Sequence, residues 1–384
     1  MVGRPLRGRR SGALGERALP RGVSKRACVL TEYHLQVLVS DFDFHLPPEL
    51  IAQHPSVERT GSRLMVIDRA SGGITHAHTT DLPSRLSSGD LVVANDTQVF
   101  PARLIGRRLP GGGAVECLLL RRVGPGTWEA LVHPGQRLRP GSRMVFERGG
   151  VGLAAEIVGR GSYGRRTVRF DVADDASFDR AIDVLGDVPL PPYIKRALAD
   201  EDRDRYQTIF ARIRGSVAAP TAGLHFTPSL LEGLKRQGIE YTTLTLHVGY
   251  GTFQPVRTDI VEQHRLDPEP WAIGDAAAAA VNQALDERRR VIAVGTTTTR
   301  TLEAVAAGNH GRVVAGTGET ELFIFPGFTF QVVSGLLTNF HLPRSSLLML
   351  VSAFAGRELV LEAYRTAVEE RYRFYSYGDA MLVL

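Results

Sequence analysis

The sequence predicts an α/β protein into which a small all-β module is inserted. Short apolar runs that are typical of buried strands alternate with helix-like segments before residue 100 and after Pro189. Between these two regions, six strand-like runs follow one another without an intervening helix. Much of the basic charge is concentrated in the same all-β part of the chain.

The six runs of the all-β module are separated by glycine and proline turns such as PGGG and GSYG. Strands at this short spacing indicate a small antiparallel barrel. We therefore expect an inserted, basic β-barrel domain at 101–174, with 39–100 and 175–384 forming the α/β catalytic domain. The six runs occupy residues 102–108, 115–122, 128–134, 143–148, 153–160 and 165–172.

The remaining elements follow from apolar periodicity and from end signals. Thr227 is placed to cap one helix, and Gly238 is placed to end it. Strands are expected at 62–68, 90–96, 241–249, 290–295, 321–325 and 331–338, and helices at 228–237, 275–289, 296–308, 345–355 and 358–371.

Composition narrows the class of protein. The 384 residues are 43% hydrophobic and 23% charged, which is ordinary for a soluble globular protein. No apolar run reaches the length of about 18 residues that a membrane helix requires. Cys28 and Cys117 form neither a metal framework nor a disulfide scaffold, so a reducing, cytoplasmic setting is expected. Residues 1–38 are arginine-rich and weakly apolar, as in a disordered basic tail or the result of a mis-assigned start.

The charge is strongly segregated along the chain. Residues 101–170 hold thirteen arginines and four glutamates, a formal charge of +9, whereas the rest of the chain beyond residue 38 sums to −10. A basic module within an acidic body indicates a surface for a polyanion. An arginine-rich solvated surface without a partner is the alternative.

Residues 216–226, SVAAPTAGLHF, combine small side chains with one proline and one histidine. Small residues allow a ligand to approach the backbone closely, and Gly223 permits a positive φ. His225 is the only titratable group in the stretch, and an imidazole suits acid–base work near neutral pH. A tight packing turn before the next helix is the alternative interpretation.

Three further stretches carry polar groups at the ends of predicted elements. His247 lies at a strand end in TLHVGYGTFQPV, where ligands of α/β sheets usually bind, although a structural histidine fits as well. Thr296 and Thr297 begin a helix after a buried strand, which suits an anion, a sugar hydroxyl or plain helix capping. Asn339 and His341 lie on a turn before an apolar helix, as a site or as a self-satisfied loop.

Several familiar signatures do not occur in the sequence. It has no Gly-X-Gly-X-X-Gly after a strand, no phosphate-binding loop and no metal-spaced Cys/His set. These absences disfavour a dehydrogenase, a nucleotide hydrolase and a zinc enzyme.

Taken together, the motifs strongly resemble those of the S-adenosylmethionine:tRNA ribosyltransferase-isomerase family of queuosine biosynthesis. The resemblance covers Ser40 to Leu384, and APTAGLHF followed by LTNFHLP is its most specific part. The other matching stretches include NDTQVFPARL, GDVPLPPYI, TLHVGYGTFQPV, VGTTTTRTLE and YRFYSYGDAMLVL.

The resemblance implies both a fold and a reaction. The fold would be a β/α barrel-like main domain with an inserted six-stranded Greek-key barrel. The reaction would move the ribosyl part of S-adenosylmethionine onto 7-aminomethyl-7-deazaguanine at the wobble position of tRNA and rearrange it to epoxyqueuosine. Adenine and methionine would leave, so S-adenosylmethionine is a consumed cosubstrate and no metal or other cofactor is expected. A monomer without membrane contact is also expected.

This chemistry indicates which groups to seek. A base is needed for the acidic carbon beside the sulfonium, and another for the attacking amine. We expect His225 first and His247 second as catalytic residues, with Asp96 as a weaker candidate that either orients a histidine or holds the attacking amine. The residues expected to hold S-adenosylmethionine are Thr221, Gly223, Thr296, Thr297 and Asn339.

The basic module supplies candidates for tRNA contacts, because arginines that meet phosphates provide salt-dependent affinity. These candidates are Arg103, Arg107, Arg108, Arg165, Arg166 and Arg169. One departure from the family pattern stands at 264–271, HRLDPEPW, where Asp267 takes a position expected to hold a second histidine, while His264 and Glu269 remain. It leaves room for a paralogue with a different acceptor, such as a small-molecule amine. A non-catalytic tRNA-binding paralogue is a separate alternative.

Overall fold

The computed structural model of the chain describes residues 36–253 and 255–384. The predicted tail at 1–38 therefore lies almost wholly outside the described residues. Four strands and one short helix come first: β1 (Arg63–Asp68), β2 (Gly73–His78), α1 (Leu82–Arg85), β3 (Leu91–Asn95) and β4 (Thr97–Val99).

The next six strands form the predicted barrel. Their spatial order is β5-β6-β7-β10-β9-β8, and β8 pairs back onto β5, which closes the barrel. Because β8 lies beside β9 and β5 rather than beside β7, the connection is of the Greek-key kind. The predicted six-stranded antiparallel barrel is confirmed. Its strands are β5 (Arg103–Leu109), β6 (Ala114–Gly124), β7 (Thr127–His133), β8 (Arg143–Arg148), β9 (Val151–Arg160) and β10 (Arg165–Phe170).

Period-two alternation explains the barrel core. Along β7, Trp128, Ala130 and Val132 point inward and are buried, whereas the residues between them are partly exposed. Helix α2 (Asp175–Leu185) adds Phe178 and Ile182 to the same hydrophobic cluster. The barrel is thus a packed core, so any ligand must bind outside it.

The rest of the chain builds the main part of the protein. Its elements, in order, are β11 (Gly186–Asp187), α3 (Asp202–Arg205), β12 (Ile213–Ser216), α4 (Pro228–Arg236), β13 (Glu240–Leu246), β14 (Glu269–Ile273), α5 (Asp275–Asp286), β15 (Val291–Val294), α6 (Thr296–Ala307), β16 (Gly316–Thr320), β17 (Gly335–Asn339), α7 (Ser346–Ala355), α8 (Arg357–Glu369) and β18 (Ala380–Val383).

Six of these strands join β1, β2 and β3 in one mixed sheet, ordered β16-β14-β13-β3-β15-β17-β18-β1-β2. Strands β13, β3, β15 and β17 are mutually parallel, and β3, β15 and β17 are buried along their whole length. Their carboxyl ends share one edge, which is where α/β sheets bind ligands. Asn95, His247, Gly295 and Asn339 stand at or just beyond those ends. The predicted α/β architecture of the main part is confirmed.

One predicted strand is absent from the structure, and one observed strand was not predicted. Residues 321–325, expected to be a strand, form no regular element, and the strand of this region is β16 just before them. Their apolar side chains pack irregularly against the core, with Ile324 buried, before the turn at Pro326 and Gly327. Strand β14 was missed because Pro270 interrupts its apolar pattern.

Short 3-10 helices connect many of these elements. Two of them, Thr221–His225 and Tyr250–Phe253, flank the candidate site. The bounds of these 3-10 helices are Val39–Phe42, Pro48–Leu50, Arg59–Gly61, Thr79–Asp81, Gly135–Arg137, Thr221–His225, Tyr250–Phe253 and Val261–Gln263. In the described part of the chain, no helix is both long enough and apolar enough to cross a bilayer.

Candidate active site

A cavity of about 70 Å³ lies between the SVAAPTAGLHF stretch and the carboxyl edge of the main sheet. We call it the small-residue cavity. One wall is Ala218, Ala219, Pro220, Thr221 and Ala222. Because these side chains are short, the backbone itself stands close to the enclosed space. The stretch therefore lines a cavity, as expected of a surface that a ligand approaches closely.

Gly223 does not line this cavity. A Cβ added there would meet Thr208 Cγ2 at 2.9 Å, and the φ of Gly223 is not positive. The glycine at this position is therefore explained by close packing of the 3-10 helix Thr221–His225, and the positive φ that glycine permits is not adopted.

The opposite wall is the N-terminal end of α6, where Thr296 and Thr297 line the cavity. The cap is Gly295, at φ 89°, and no side chain caps the helix. Thr298 and Thr299 turn their hydroxyls to carbonyls four residues earlier. The capping interpretation of the threonines is therefore wrong, and the first amides of α6 remain available to an anionic or hydroxyl group.

Asn339 lies at the end of β17 and lines the same cavity. Its Nδ2 donates to the carbonyl oxygen of Tyr375 at 3.1 Å and lies 3.1 Å from Nε2 of His225. Since a carbonyl only accepts, Nδ2 must be the atom on this side, and Nε2 of His225 is then an acceptor. Burial lowers the pKa of His225 to about 4. The imidazole is therefore neutral near pH 7, with its proton on Nδ1.

His225 itself stands behind the cavity wall. Its ring borders a separate space of about 20 Å³ that Arg59 and Arg205 also line. Asn339 is the side chain that touches the small-residue cavity, and its Oδ1 is buried without a hydrogen-bond partner among the described residues. The structure thus presents the Asn339 amide to a ligand and holds it from behind with His225.

A second and larger space, of about 510 Å³, lies between the barrel and the main sheet. We call it the barrel cleft. Its volume is in the range typical of small-molecule sites. The barrel side includes Trp128, Glu129 and Arg165, and the sheet side includes His247 and Val248.

His247 is half-buried at the wall of the barrel cleft. Its Nδ1 lies 2.8 Å from the hydroxyl of Thr97. A Cβ added to Gly215 would meet the imidazole at 2.6 Å, so the ring packs directly on that backbone. Burial lowers the pKa of His247, and the nearby Asp96 carboxylate raises it in part. This combination keeps a neutral, basic imidazole at the cleft.

Asp96 is buried and borders neither space. Its carboxylate accepts from Arg212 at 2.7 Å and from the hydroxyl of Thr245 at 2.6 Å. The residue after it, Thr97, is the one that contacts His247. Because Asp96 borders neither space, this placement favours orienting a histidine over holding the amine, and the role of Asp96 stays a prediction.

Val248 lines both the barrel cleft and the small-residue cavity. The chain from His247 to Thr252 therefore forms the wall between them. We call this wall the partition. Four residues expected to hold S-adenosylmethionine line the cavity on one side of it, and His247 lines the cleft on the other. The four are Thr221, Thr296, Thr297 and Asn339.

Sequence reasoning passed over two groups at this edge. His341 was noted but not chosen, and its Nε2 lies 2.9 Å from the hydroxyl of Thr338, with the pKa lowered to about 3 by burial. Arg300 of α6 is buried and pairs with Glu269. In the sequence, Arg300 could have been recognised as a charged residue inside a helix that follows a buried strand.

The candidate tRNA arginines differ in their surroundings. Arg103 binds Glu116, Arg107 binds Glu147 and Arg169 binds Glu156 on the outer face of the barrel. Arg165 pairs with Glu129 and Asp267 at the cleft. Arg166 is 5% exposed and donates to three backbone carbonyls. Arg166 thus holds the barrel loop, whereas Arg108 has no ion-pair partner among the described residues.

The departure at Asp267 has a structural outcome. Asp267 accepts a hydrogen bond from Arg165 of β10. The residue therefore ties the barrel to the main sheet across the cleft. His264 in the same stretch packs edge-on against Phe323, at 5.1 Å between ring centroids.

The chain is similar to named relatives over most of its length. A relative from Heliobacterium modesticaldum, S-adenosylmethionine:tRNA ribosyltransferase-isomerase, is 54% identical over 347 residues, which are 90% of this chain and 99% of the relative. A protein of the same name from Syntrophotalea carbinolica is 51% identical over 349 residues, again 90% of this chain and 99% of the relative.

A solved structure also resembles the chain. The crystal structure of S-adenosylmethionine tRNA ribosyltransferase from Thermotoga maritima matches with a TM-score of 0.51 and 39% identity, over 90% of this chain and 100% of the other. The sequence model of the family described as Queuosine biosynthesis protein matches residues 39–383. On this evidence the chain belongs to the queuosine biosynthesis protein family.

Proposed function

We propose that this chain transfers the ribosyl part of S-adenosylmethionine to 7-aminomethyl-7-deazaguanine at the wobble position of tRNA and isomerises it, giving epoxyqueuosine and releasing adenine and methionine. Family membership and the names of the relatives support the reaction. The observation that carries the proposal is that Val248 lines both the small-residue cavity and the barrel cleft. Two adjacent binding spaces suit a reaction that must bring two substrates together.

The small-residue cavity is the place we propose for the adenosyl end of S-adenosylmethionine. Its short side chains and the first amides of α6 suit ribose hydroxyls, and the free Oδ1 of Asn339 accepts one of them. About 70 Å³ is far below the several hundred Å³ of a typical ligand site. Binding of the whole substrate therefore requires the partition around Val248 to shift.

The barrel cleft is the place we propose for the modified base of tRNA. Its entrance lies beside a barrel whose sequence carries a net charge of +9 over 101–170. Positive charge next to a base-sized cleft favours a nucleic acid whose target base leaves its stack.

His247 is the group that we propose as general base. The hydroxyl of Thr97 is within reach of the Ile213 carbonyl, at 3.5 Å, and donating there leaves its oxygen to accept from Nδ1 of His247. Nε2 then carries the lone pair. It takes the proton released at the 5′ carbon beside the sulfonium or at the attacking amine. His225 acts through Asn339, as a positioning residue.

Nucleoside mass spectrometry tests the function directly. The protein is incubated with S-adenosylmethionine and tRNA that carries 7-aminomethyl-7-deazaguanine, and epoxyqueuosine is the expected product. Adenine release only with a free small amine would replace the tRNA acceptor with a small molecule. Binding of tRNA with no product and no adenine would leave a non-catalytic tRNA-binding protein. The expectations of a monomer, of a cytoplasmic location and of no further cofactor stay predictions.

A further inference from the structure

A third cavity, of about 30 Å³, adjoins the small-residue cavity and shares Thr252 and Leu347 with it. We call it the Arg300 cavity. Arg300 of α6 and Glu269 of β14 both line it and form an ion pair, and each side chain is only 7% exposed. A buried ion pair of this kind adds little stability unless its remaining hydrogen-bonding groups are satisfied.

The hydrogen bonds of Arg300 are incomplete. Nε donates to the carbonyl of Leu322 at 2.8 Å, and Nη1 donates to Glu269. Nη2 is buried and has no partner among the described residues. An unpaired charged donor in such a place is costly, so an acceptor from outside the chain is the natural complement.

The N-terminal end of α7 reaches the same cavity. Ser345 caps the helix by accepting from the amide of Leu348 at 3.2 Å. Ser346 and Leu347, both residues of the cavity wall, are the first two residues of α7, so their amides have no acceptor within the helix. Together with Nη2 of Arg300 they offer donors to an anion at the positive end of a ten-residue helix.

Acceptors for a cation stand in the same wall. The carboxylate of Glu269 accepts the amide of Gly249 at 2.7 Å and bonds to Arg300. Asp267 also lines the cavity, and its carboxylate bonds to Arg165. Donors for a carboxylate beside two carboxylates for an ammonium are what an α-amino-acid zwitterion requires.

We propose that the Arg300 cavity binds the amino-acid end of S-adenosylmethionine, with Nη2 of Arg300 donating to its α-carboxylate. The inference rests on the proposed function, which supplies a substrate with such an end. Leu347 lines both cavities, so the methionine end lies beside the adenosyl end. Ile324 and Leu350 give an apolar surface for the methylene chain.

Calorimetric titration of two ligands tests the proposal. S-Adenosylmethionine and its decarboxylated analogue are compared with the wild-type protein and with Arg300→Lys, which keeps the buried charge but lacks Nη2. We expect the carboxylate to improve wild-type affinity by about 10- to 100-fold, as a charge-assisted hydrogen bond does. In Arg300→Lys the advantage is expected to fall below about 3-fold. Arg312→Lys, in an exposed pair with Asp286, is the matched control and keeps the full advantage.

If Arg300 has only a structural role, Arg300→Lys weakens the binding of both ligands equally and leaves the ratio of their affinities unchanged. That outcome overturns the inference. Equal affinity of the wild-type protein for the two ligands overturns it without any variant. Either result is compatible with epoxyqueuosine formation, so the proposed function survives both. A wild-type protein that neither binds nor consumes S-adenosylmethionine removes the proposed function and this inference together.

Discussion

Asn339 and His225, 114 residues apart, meet through one hydrogen bond at 3.1 Å. A second bond of the same amide nitrogen, to the Tyr375 carbonyl, fixes the amide so that its oxygen is left free. The histidine is buried and neutral, so it serves as an acceptor that orients the amide. The motif histidine therefore lies behind Asn339 and does not line the cavity itself.

The first prediction concerns this amide. Asn339→Ala removes the free oxygen, and we expect the KM for S-adenosylmethionine to rise by about 10- to 100-fold, as for a lost hydrogen bond in a buried site. The KM for tRNA stays within about 2-fold of the wild type because the amide lies on the other side of the partition. Steady-state kinetics with each substrate varied in turn measures both values.

The matched control is Asn282→Ala. Asn282 also binds backbone through its amide, with Nδ2 2.7 Å from the Val313 carbonyl, but it lies on α5 away from the cavity. Unchanged kinetics are expected there. Equal rises of both KM values in Asn339→Ala would show a general loss of structure instead of a lost ligand contact.

The second prediction is a loss of stability in acid. Burial lowers the pKa of His225 to about 4 and that of His341 to about 3, whereas an unfolded histidine titrates near 6.5. Below pH 6.5 the unfolded chain binds more protons, so the free energy of unfolding falls as the pH decreases towards the folded-state values. Between pH 7 and pH 5 each histidine contributes a loss of about 2 kcal/mol.

Denaturant unfolding at pH 7 and pH 5 measures that loss. His341→Gln and His225→Gln are each expected to reduce the difference between the two pH values by about 2 kcal/mol. His54→Gln is the control, because that side chain is exposed. A difference that all three variants leave intact would contradict the assignment to the buried pair.

The barrel could be predicted from the sequence because the same pattern, an alternating apolar run bounded by turn residues, repeats along it. Strand β8 was predicted at 143–148 and is found at Arg143–Arg148, since glycine and proline turns bound each alternating run. Residues 321–325 show where this reasoning fails. They are apolar enough for a strand, but they pack against the core from an irregular segment in which only Ile324 is fully buried. The strand of this region is the less apolar β16.

The candidate site was predictable only in part. Carboxyl ends of parallel strands share an edge, so Asn339, Thr297 and His247 could be expected near one another. Nothing in sequence spacing shows that Asn339 stands between His225 and the cavity, because this depends on side-chain contacts between distant segments. The Arg300–Glu269 pair is equally a product of tertiary packing.

The third prediction tests the packing of His247. In Gly215→Ala the new Cβ would lie 2.6 Å from the imidazole, so the ring must turn away from the cleft. We expect kcat to fall by at least about 10-fold, as for a displaced general base. Gly274→Ala is the control because no atom lies within 4 Å of its added Cβ. Normal turnover in Gly215→Ala would exclude His247 as the base.

The fourth prediction concerns the pH dependence of turnover. The Asp96 carboxylate raises the pKa of His247 against the effect of burial. Asp96→Asn removes that influence, so the pKa of His247 falls and the acidic limb of kcat/KM moves to lower pH. The weaker base also lowers the plateau rate. Asp90→Asn, at the other end of β3 and paired with Arg290, is expected to leave the limb in place.

The fifth prediction concerns tRNA affinity and the ion pairs on the barrel. Arg107 is held by Glu147 at 3.0 Å, so its charge is partly neutralised in the free protein. Glu147→Gln releases it, and we expect tighter tRNA binding with a salt dependence steeper by about one unit in log Kd against log salt. Arg108→Ala is expected to make the dependence shallower by a similar amount.

The control for this pair is Asp286→Asn, which releases Arg312, a similarly exposed arginine outside the barrel, from the ion pair between them. A barrel-specific surface predicts no change in its tRNA affinity at any salt concentration. Filter binding between about 50 and 200 mM salt separates the cases, because phosphate contacts lose affinity steeply over that range. Equal slopes of log Kd against log salt for the wild type, Glu147→Gln and Arg108→Ala would show that tRNA does not touch this face. The positive charge of the barrel would then belong to a solvated surface without a partner.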